Sequence, residues 1–509
     1  MEYANKRNKN VLIMLLLIVL LGSVLRFSGL SQQSLWLDEL YSWKSANFNS
    51  LSQVIEYGKR DIHPPGYAIV LYYIEKFIGD SETALRLPSA ICGVLSIIVI
   101  YFLGLRYYSY KESLISSALM AFLWCPVYYS QEARMYSMVL LFTLTTMYCW
   151  DIVFYQLQTN EKLTNWYAAL GYIISSIILC YLHYFGTFLI ALLGITSIVS
   201  CVKKRKALLM LLLIHLPIAI AYAPWISVML SHAHKSAYYI HGPGIFTPIV
   251  FLKFFFNSYY LLLIILLFYA FYFFSIIRDI GRKHESITEL KTLLRSDIFL
   301  IAWLIIPFLG TIMISVLLTP VTQNRNLIIL LPPAYLLFAR SITQLTLSTK
   351  KQMIISFLII GIFLCDLIFI KDYYSRPTKQ QYREAVNYII HHDHVNDPTL
   401  IIGLCFDEDN LILPERAWVD NLNYYFIKNG SQRRVSWNPI NSFFTGGLAN
   451  EQSKLLQEIN TNKIRYVWFV NDTQMNPEPY IAFMEQHLTL LEKKSFIGID
   501  VRRFENTKS

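Results

Sequence analysis

Charged side chains are scarce in this sequence. Only 15% of its 509 residues are Asp, Glu, Lys or Arg, whereas 55% are hydrophobic. Soluble globular domains carry about 25% charged residues, so the composition argues against a soluble protein. The net charge is +10, but the basic residues are scattered over short segments between apolar runs, and no nucleic-acid partner is expected.

Several common catalytic motifs are also missing. The sequence contains no Walker motif and no G-x-G-x-x-G, G-x-S-x-G or H-E-x-x-H motif. ATP hydrolysis, dinucleotide chemistry and serine or zinc hydrolysis therefore lack support. A D-x-D motif at Asp407 to Asp409 is of the kind that binds metal and nucleotide sugar in soluble glycosyltransferases. We expect this motif on the outer side of a membrane, where nucleotide sugars are not expected. A solvated loop explains it equally well.

The seven cysteines form neither a disulfide framework nor a zinc pattern. Six of them lie in or beside apolar runs, and Cys405 stands alone in the C-terminal part. Their distribution therefore adds no chemistry of its own.

Long apolar runs dominate the first 370 residues. About eleven of them are long enough to cross a bilayer at roughly 20 residues per crossing. The predicted spans are 11–30, 88–108, 112–130, 135–156, 166–184, 185–202, 207–228, 250–277, 297–318, 326–345 and 352–370. The first run has a basic flank but no small-residue cleavage site, so we interpret it as a retained anchor. A polytopic α-helical membrane protein is predicted.

Basic residues recur in alternate segments between the spans, as in Lys203 to Lys206 and at Lys350 and Lys351. Because cytoplasmic loops of membrane proteins are enriched in Lys and Arg, these segments and the N-terminus are expected in the cytoplasm. Loop 31–87, loop 229–249 and the C-terminal part are then extracytoplasmic. We expect a multi-pass protein of the cytoplasmic, or inner, membrane.

Two parts are predicted along the chain. Residues 1–370 form the transmembrane part, which includes the first extracytoplasmic loop at 31–87. Residues 371–509 have ordinary polar composition and short alternating strand and helix patterns, such as "TLIIGLCF" followed later by "NEQSKLLQEI". This alternation is typical of a small α/β domain.

Two adjacent carboxylates, Asp38 and Glu39, lie in "SLWLDELYSW", a few residues after the first apolar run. Charge so close to a bilayer is costly unless it has a use. The stretch is predicted to form a helix at the membrane surface, with its aromatic rings in the interface. Successive helical residues point about 100° apart, so one carboxylate faces the chemistry. Asp38, on the more polar side, is the predicted one.

Further polar residues fall at the expected outer edge in five short stretches. Asp61 and His63 precede two prolines that stiffen a turn, which suits a metal or phosphate site, although a helix-capping turn is the alternative. Arg134 and Arg325 have the planar fork of donors that suits a phosphate, although a Glu132–Arg134 pair closing a hairpin is the alternative. The other polar residues at the expected outer edge are Tyr67, Tyr136, His183, Lys235 and His241.

The spans themselves hold almost no charge at mid-depth. An ion-coupled transporter needs polar groups near the bilayer centre. A membrane enzyme at the outer interface instead needs an acid to activate a nucleophile and cations to hold an anionic headgroup. The distribution of charge favours the enzyme.

The polar stretches, taken in order, resemble those of the GT-C glycosyltransferases. The motifs are "DE" in the first outer loop, "D-x-HPP-x-Y", "SQEARMYSMVLL" and "NRNLIILLPP" before a late span. They are most similar to the glycosyltransferase family 39-like group, which includes protein O-mannosyltransferases, lipid A aminoarabinose transferases and RgtA/B/C/D-like proteins. The resemblance covers about residues 11–345 and implies a GT-C fold of about 11 transmembrane helices.

The resemblance also implies an activity. Such enzymes pass a sugar from a polyprenyl phosphate, such as undecaprenyl phosphate, to a hydroxyl, usually with inversion at the anomeric carbon. Asp38 matches the catalytic acid and Glu39 its partner. The implied phosphate-binding residues are Arg134, Arg325, His63 and Lys235, and the implied substrate pocket contains Asp61, Tyr67, Glu132, Tyr136 and His183. Some relatives use a divalent metal ion, for which Asp61, His63 and His241 are the candidate ligands.

Other points stay open in the sequence. The aminoarabinose transferases have "EKPP" where this chain has "DIHPP", which argues against lipid A as the acceptor. The acceptor is a lipid, a glycan or a protein, and the sugar is not specified. The alternative functions are a flippase or exporter of lipid-linked sugars and a non-catalytic subunit of a surface-polysaccharide assembly complex.

Overall fold

The computed structural model describes residues 2–232, 242–282, 287–393, 397–404, 417–435, 448–473 and 477–507. The chain divides into two compact units. The helical unit comprises Met1–Leu30, Asp61–Val70 and Ala84–Asp372, and the mixed unit comprises Ser31–Arg60, Leu71–Thr83 and Tyr373–Ser509.

Helices account for nearly all of the regular structure in the first 370 residues, as their apolar runs predict. In chain order they are α1 (Glu2–Phe27), α2 (Leu37–Ala46), α3 (Leu51–Gly58), α4 (Gly66–Phe77), α5 (Glu82–Tyr107), α6 (Tyr110–Phe122), α7 (Trp124–Ser130), α8 (Tyr136–Asn160), α9 (Trp166–Leu182), α10 (Tyr184–Cys201), α11 (Arg205–His232), α12 (Thr247–Phe255), α13 (Tyr259–Arg282), α14 (Ile287–Leu317), α15 (Leu331–Thr343) and α16 (Thr349–Cys365). A 3₁₀ helix, Asn324–Leu330, leads into α15, and a π-helical turn, Asp366–Ile370, follows α16.

Eight helical segments among the described residues are long and apolar enough to cross a membrane. Two bent pairs bring the number to ten if each pair is one span: α6 with α7, bent by 55°, and α12 with α13, bent by 98°. Helix α9 is apolar but shorter, with 17 residues. Every predicted span thus falls on an apolar helix or a bent pair, and the number of crossings stays a prediction.

The helical unit buries some helices and exposes others. Helix α15 lies in its core, where Tyr335 and Phe338 are fully buried. Large apolar side chains of outer helices stay exposed, among them Leu16 and Leu20 of α1 and Phe357 of α16. In a membrane such side chains contact lipid, so their exposure agrees with the span assignment.

An arginine of α1, distant in sequence, donates hydrogen bonds to carbonyl oxygens at the break between α6 and α7. Arg26 of α1 is fully buried, and its guanidinium donates to the carbonyl oxygens of Met120 and Ala121 at 2.6 and 2.9 Å. Carbonyls freed at a helix end inside a membrane need such partners. Pro126, which has no N–H group, lies in the first turn of α7, where its missing donor is tolerated.

The mixed unit contains a four-stranded sheet in the order β1-β2-β4-β3. The strands are β1 (Thr399–Leu404), β2 (Tyr466–Asp472), β3 (Thr489–Phe496) and β4 (Ile499–Glu505), and the later helices are α17 (Tyr382–His392), α18 (Ala417–Lys428), α19 (Leu448–Thr461) and α20 (Glu478–His487). Strands β1 and β2 are parallel, whereas β4 is antiparallel to both neighbours. Val467, Phe469 and Phe504 lie in the core, so the alternating pattern after residue 371 predicted the sheet correctly.

Candidate functional site

A cleft in the helical unit gathers polar residues from distant parts of the chain. It encloses about 1080 Å³, part of which is open to the outside. Its polar lining residues are His63, His183, His232, Gln323, Arg325 and Asn326. Its apolar lining residues include Phe185, Phe188, Met229, Ile314, Leu318 and Val321. The cleft therefore combines a basic, hydrogen-bonding portion with an apolar wall.

His63 is held in the cleft by a short, rigid turn. Pro64 and Pro65 follow it directly, and α4 begins at Gly66. A Cβ atom at Gly66 would lie 2.5 Å from the carbonyl oxygen of Tyr181, so only glycine permits this close approach. Asp61 Oδ1 lies 3.7 Å from His63 Nδ1, which orients the imidazole.

The charge states of Asp61 and His63 follow from burial and from two arginines. Burial alone would raise the pKa of Asp61, but the hydrogen bond and charge of His63, together with the charge of Arg134, lower it below its usual range. Burial lowers the pKa of His63, and Arg134 and Arg325 add to this shift, so that it stays below the usual range despite Asp61. At neutral pH, Asp61 is a carboxylate and His63 is a neutral imidazole.

His183 links two helices and faces the same cleft. Its backbone separates α9 from α10, and its Nδ1 atom accepts a hydrogen bond from the Phe185 N–H at 3.2 Å, which caps α10. Its ring centroid lies 5.5 Å from that of His63 and 6.2 Å from that of Tyr136. The residue thus has a structural role and also lines the cleft.

The turn between α7 and α8 carries Glu132, Arg134 and Tyr136, all of them buried. The Arg134 guanidinium lies 5.9 Å from the centre of the Tyr136 ring. Ser89 donates a hydrogen bond to the Arg134 carbonyl at 3.0 Å, and its hydroxyl lies 3.1 Å from the Tyr67 hydroxyl. Tyr67 and Ser89 therefore hold the backbone of Arg134 in place.

Arg325 enters the cleft from the 3₁₀ helix that precedes α15. Its Nε atom donates to Gln323 Oε1 at 2.8 Å, and the neighbouring Asn326 amide donates to the Val321 carbonyl at 3.0 Å. These contacts order the segment between α14 and α15, so that Arg325 is presented on a fixed backbone.

Asp38 and Glu39 belong to the mixed unit, where they begin α2. Glu39 is fully buried, and its Oε2 atom lies 3.2 Å from the Lys379 Nζ atom and accepts a 3.4 Å hydrogen bond from the Trp36 N–H. Asp38 is half-buried, and its carbonyl oxygen accepts from the Ser42 hydroxyl at 3.1 Å. Glu39 thus has a structural partner, and Asp38 is the more accessible carboxylate of the two.

Comparisons with known proteins bear on the fold. The family model described as dolichyl-phosphate-mannose-protein mannosyltransferase matches residues 62–225, which include His63, Arg134 and His183. No curated protein matches the sequence. ArnT from Cupriavidus metallidurans, in crystal structures with undecaprenyl phosphate and in the apo state, is 13% identical, with TM-scores of 0.52 and 0.56. These matches cover 97% and 96% of this chain and 98% and 97% of the ArnT chains.

The chain has the GT-C fold. The archaeal oligosaccharyltransferase AglB from Archaeoglobus fulgidus, solved with an inhibitory peptide and a dolichol-phosphate, is also similar, at 12% identity and a TM-score of 0.52. That match covers 99% of this chain and 75% of AglB. The GT-C resemblance seen in the sequence is therefore confirmed, and the protein is a multi-pass membrane protein.

Some predicted site residues of this GT-C chain lie outside the described residues. They are Lys235 and His241, and the D-x-D motif at Asp407 to Asp409 is not described either. Within the described ranges, no group of three or more His, Cys, Asp or Glu side chains is placed to hold a metal ion. Asp61 and His63 supply two ligands there, fewer than a metal site built from protein side chains requires, and the divalent metal stays a prediction.

The structure adds cleft residues that the sequence did not single out. Tyr184 and His232 form a hydrogen bond of 2.7 Å, and Phe188, Met229 and Ile314 build the apolar wall. These residues lie on apolar helices without a distinctive motif. The only sequence signal was His232 itself, a polar residue at the end of a long apolar run.

Proposed function

We propose that the protein is a membrane glycosyltransferase that moves a sugar from a polyprenyl-phosphate-linked donor to a hydroxyl acceptor at the extracytoplasmic face. The GT-C fold and the family match support this class of enzyme. The observation that carries the proposal is the composition of the cleft. Arg325 and the histidines of the cleft suit a phosphate, and the apolar wall suits an isoprenoid chain.

The carboxylate and the arginines have different roles in the proposed reaction. The acceptor oxygen attacks the anomeric carbon, the bond from that carbon to the phosphate oxygen breaks, and the phosphate leaves with the electron pair. Asp38 takes the proton of the acceptor hydroxyl, and the attack from the opposite side inverts the anomeric carbon. Arg325 and Arg134 offset the charge on the leaving phosphate, since guanidinium pairs with phosphate through parallel N–H groups.

The remaining candidates support these steps. Neutral His63 has a single N–H group, and we assign this group to a phosphate oxygen, to which it turns from Asp61 when the donor binds. Glu39, paired with Lys379, fixes the first turn of α2 and thereby the carboxylate of Asp38. Lys235 is proposed as an additional cation that binds the phosphate.

Binding of the carrier lipid tests the proposal without knowledge of the sugar. The protein in phosphatidylcholine nanodiscs should bind undecaprenyl phosphate at least about tenfold more tightly than undecaprenol, because a hydrogen bond to a charged group contributes about 1.5–3 kcal/mol. Titration calorimetry with both lipids measures the difference. Equal affinities would remove the basis of the proposal.

Turnover separates the enzyme from the alternatives. When the protein in liposomes is supplied with an undecaprenyl-phosphate-linked radioactive sugar, a glycosyltransferase releases the sugar from the carrier. A flippase instead moves the intact lipid to the other leaflet, and a non-catalytic subunit does neither. Intact movement without release would replace the proposed function by the flippase.

The pH dependence of carrier binding tests the role of His63. Because its folded-state pKa is lowered, His63 stays mainly neutral as the pH falls from 8 to its ordinary value near 6.5. The affinities of the wild type and of His63→Gln for undecaprenyl phosphate should therefore change in parallel over this range. A rise in affinity toward pH 6.5 in the wild type alone would show that His63 acts as a cation.

A further inference from the structure

A second group of aromatic and basic side chains lies on the helical unit, outside the lining of the cleft. It consists of Trp124, Tyr128, Lys253, Phe254 and Lys371, all half-buried, and we call it the aromatic–lysine surface. The rings of Trp124 and Tyr128 stack with centroids 4.7 Å apart, and Phe254 meets Trp124 edge-on at 5.6 Å. Three rings thus form a partly exposed aromatic platform.

The platform is built where two helices break. Trp124 is the first residue of α7, just after the 55° bend, and its backbone N–H donates to Asn257 Oδ1 at 2.8 Å. Asn257 lies at the 98° bend between α12 and α13, with φ of +71°, and its amide donates to the Phe363 carbonyl at 3.3 Å. A strained backbone conformation held by its surroundings is typical of functional sites.

The two lysines of the surface lie over aromatic rings. Lys371 Nζ is 5.3 Å from the centre of the Trp124 ring, and Lys253 Nζ is 4.1 Å from that of Tyr259. Within the described part of the chain, neither amino group takes part in an ion pair. Burial lowers the pKa of Lys371, and although Asp366 opposes this, the charge of Lys253 adds to it. The charge of Lys253 thus acts on Lys371, and an anion bound beside either amino group would be attracted by both.

The charge of Asp366 acts on Lys371. Its Oδ1 atom accepts a hydrogen bond from the Tyr260 hydroxyl, and its Oδ2 atom has no hydrogen-bond partner among the described residues although the side chain is buried. With one carboxylate and two ammonium groups, the surface stays positive.

A layer of tyrosines connects this surface to the cleft. The Tyr129 ring lies 5.9 Å from Phe254 and 5.0 Å from Tyr136, whose ring lies 6.2 Å from that of His183. Two tyrosines, Tyr129 and Tyr136, therefore lie between the aromatic–lysine surface and His183 of the cleft.

We infer that the aromatic–lysine surface binds a saccharide that carries an anionic group, and that it serves as the acceptor subsite. The rings stack on the apolar faces of sugar units, as rigid amphipathic side chains do. The two lysines pair with a carboxylate or phosphate of the saccharide. The role as acceptor subsite rests on the proposed function, whereas binding of the anionic saccharide does not.

The test compares anionic and neutral saccharides in phosphatidylcholine nanodiscs. By calorimetry, the wild type should bind trigalacturonic acid and not neutral maltotriose, and Lys253→Gln/Lys371→Gln should lose at least tenfold in affinity. Lys76→Gln is the matched control, because Lys76 also lies over a tyrosine ring, 5.8 Å from the centre of Tyr72, but in the mixed unit. The control should bind like the wild type.

Further measurements identify the source of the saccharide and separate the two proposals. If glucuronosyl diacylglycerol binds in a lysine-dependent way and trigalacturonic acid does not, the acceptor is a glycolipid; the reverse indicates a soluble or polymeric glycan. Binding of phosphatidylglycerol as tight as that of either saccharide, or no binding of either saccharide, would overturn the inference. The double variant should still bind undecaprenyl phosphate like the wild type, so loss of the subsite is distinguishable from loss of the donor site.

Discussion

An Asp38→Asn variant should bind undecaprenyl phosphate as tightly as the wild type and transfer sugar about 10²–10⁴-fold more slowly. The amide keeps the size and the hydrogen-bonding geometry of the carboxylate but does not accept the acceptor's proton. The carrier phosphate is held by other residues, so its affinity is unaffected. Single-turnover release of labelled sugar, measured beside calorimetric carrier binding, gives both quantities.

Two further variants show whether such a loss is specific to Asp38. Asp80→Asn makes the same change in the mixed unit at a partly exposed ion pair with Lys428, and it should transfer sugar normally because such pairs contribute little. Glu39→Gln leaves the buried Lys379 without its anionic partner, and it should reduce the yield of folded protein. Normal transfer by Asp38→Asn would refute the proposed role.

Local sequence features predicted much of the fold and of the cleft. Apolar runs located the helices, because a bilayer requires about 20 apolar residues per crossing. His63 was identified because it stands with Asp61 before two prolines, and Arg325 because it lies beside apolar sequence and its planar guanidinium suits a phosphate. The GT-C resemblance suggested that such residues share a site, and in the helical unit His63, His183 and Arg325 line one cleft; their roles stay a prediction.

The supporting residues were not predictable because their partners are distant in sequence. Arg26 lies inside the first predicted span, 11–30, and no motif marks it, yet it is buried and donates to the carbonyl oxygens of Met120 and Ala121. Trp124, Lys253 and Lys371 come together only because two helices break. Pro126 was a local sign of the first break, but no motif marks the Asn257 bend, which depends on its hydrogen bonds to Trp124 and Phe363.

Replacing Arg325 should produce the largest loss of donor affinity. Arg325→Gln removes the charge and the planar guanidinium of a residue that lines the cleft, so the affinity for undecaprenyl phosphate should fall about 10–100-fold, as expected for about 1.5–3 kcal/mol. Arg325→Lys keeps the charge without the planar fork, so its affinity should lie between those of Arg325→Gln and the wild type. Undecaprenol binding should be the same in all three proteins.

Arg106→Gln provides the matched control for this experiment. It makes the same substitution at a partly exposed arginine of α5, whose Nε lies 2.7 Å from Asp151 Oδ2, and it leaves the cleft intact. If Arg325→Gln and Arg106→Gln bind the carrier equally well, the phosphate does not lie against Arg325. If Arg325→Gln also loses undecaprenol binding, Arg325 shapes the cleft for the isoprenoid chain. If only the Arg325 variants lose affinity for undecaprenyl phosphate, and their affinity for undecaprenol is unchanged, the donor headgroup is assigned to this end of the cleft.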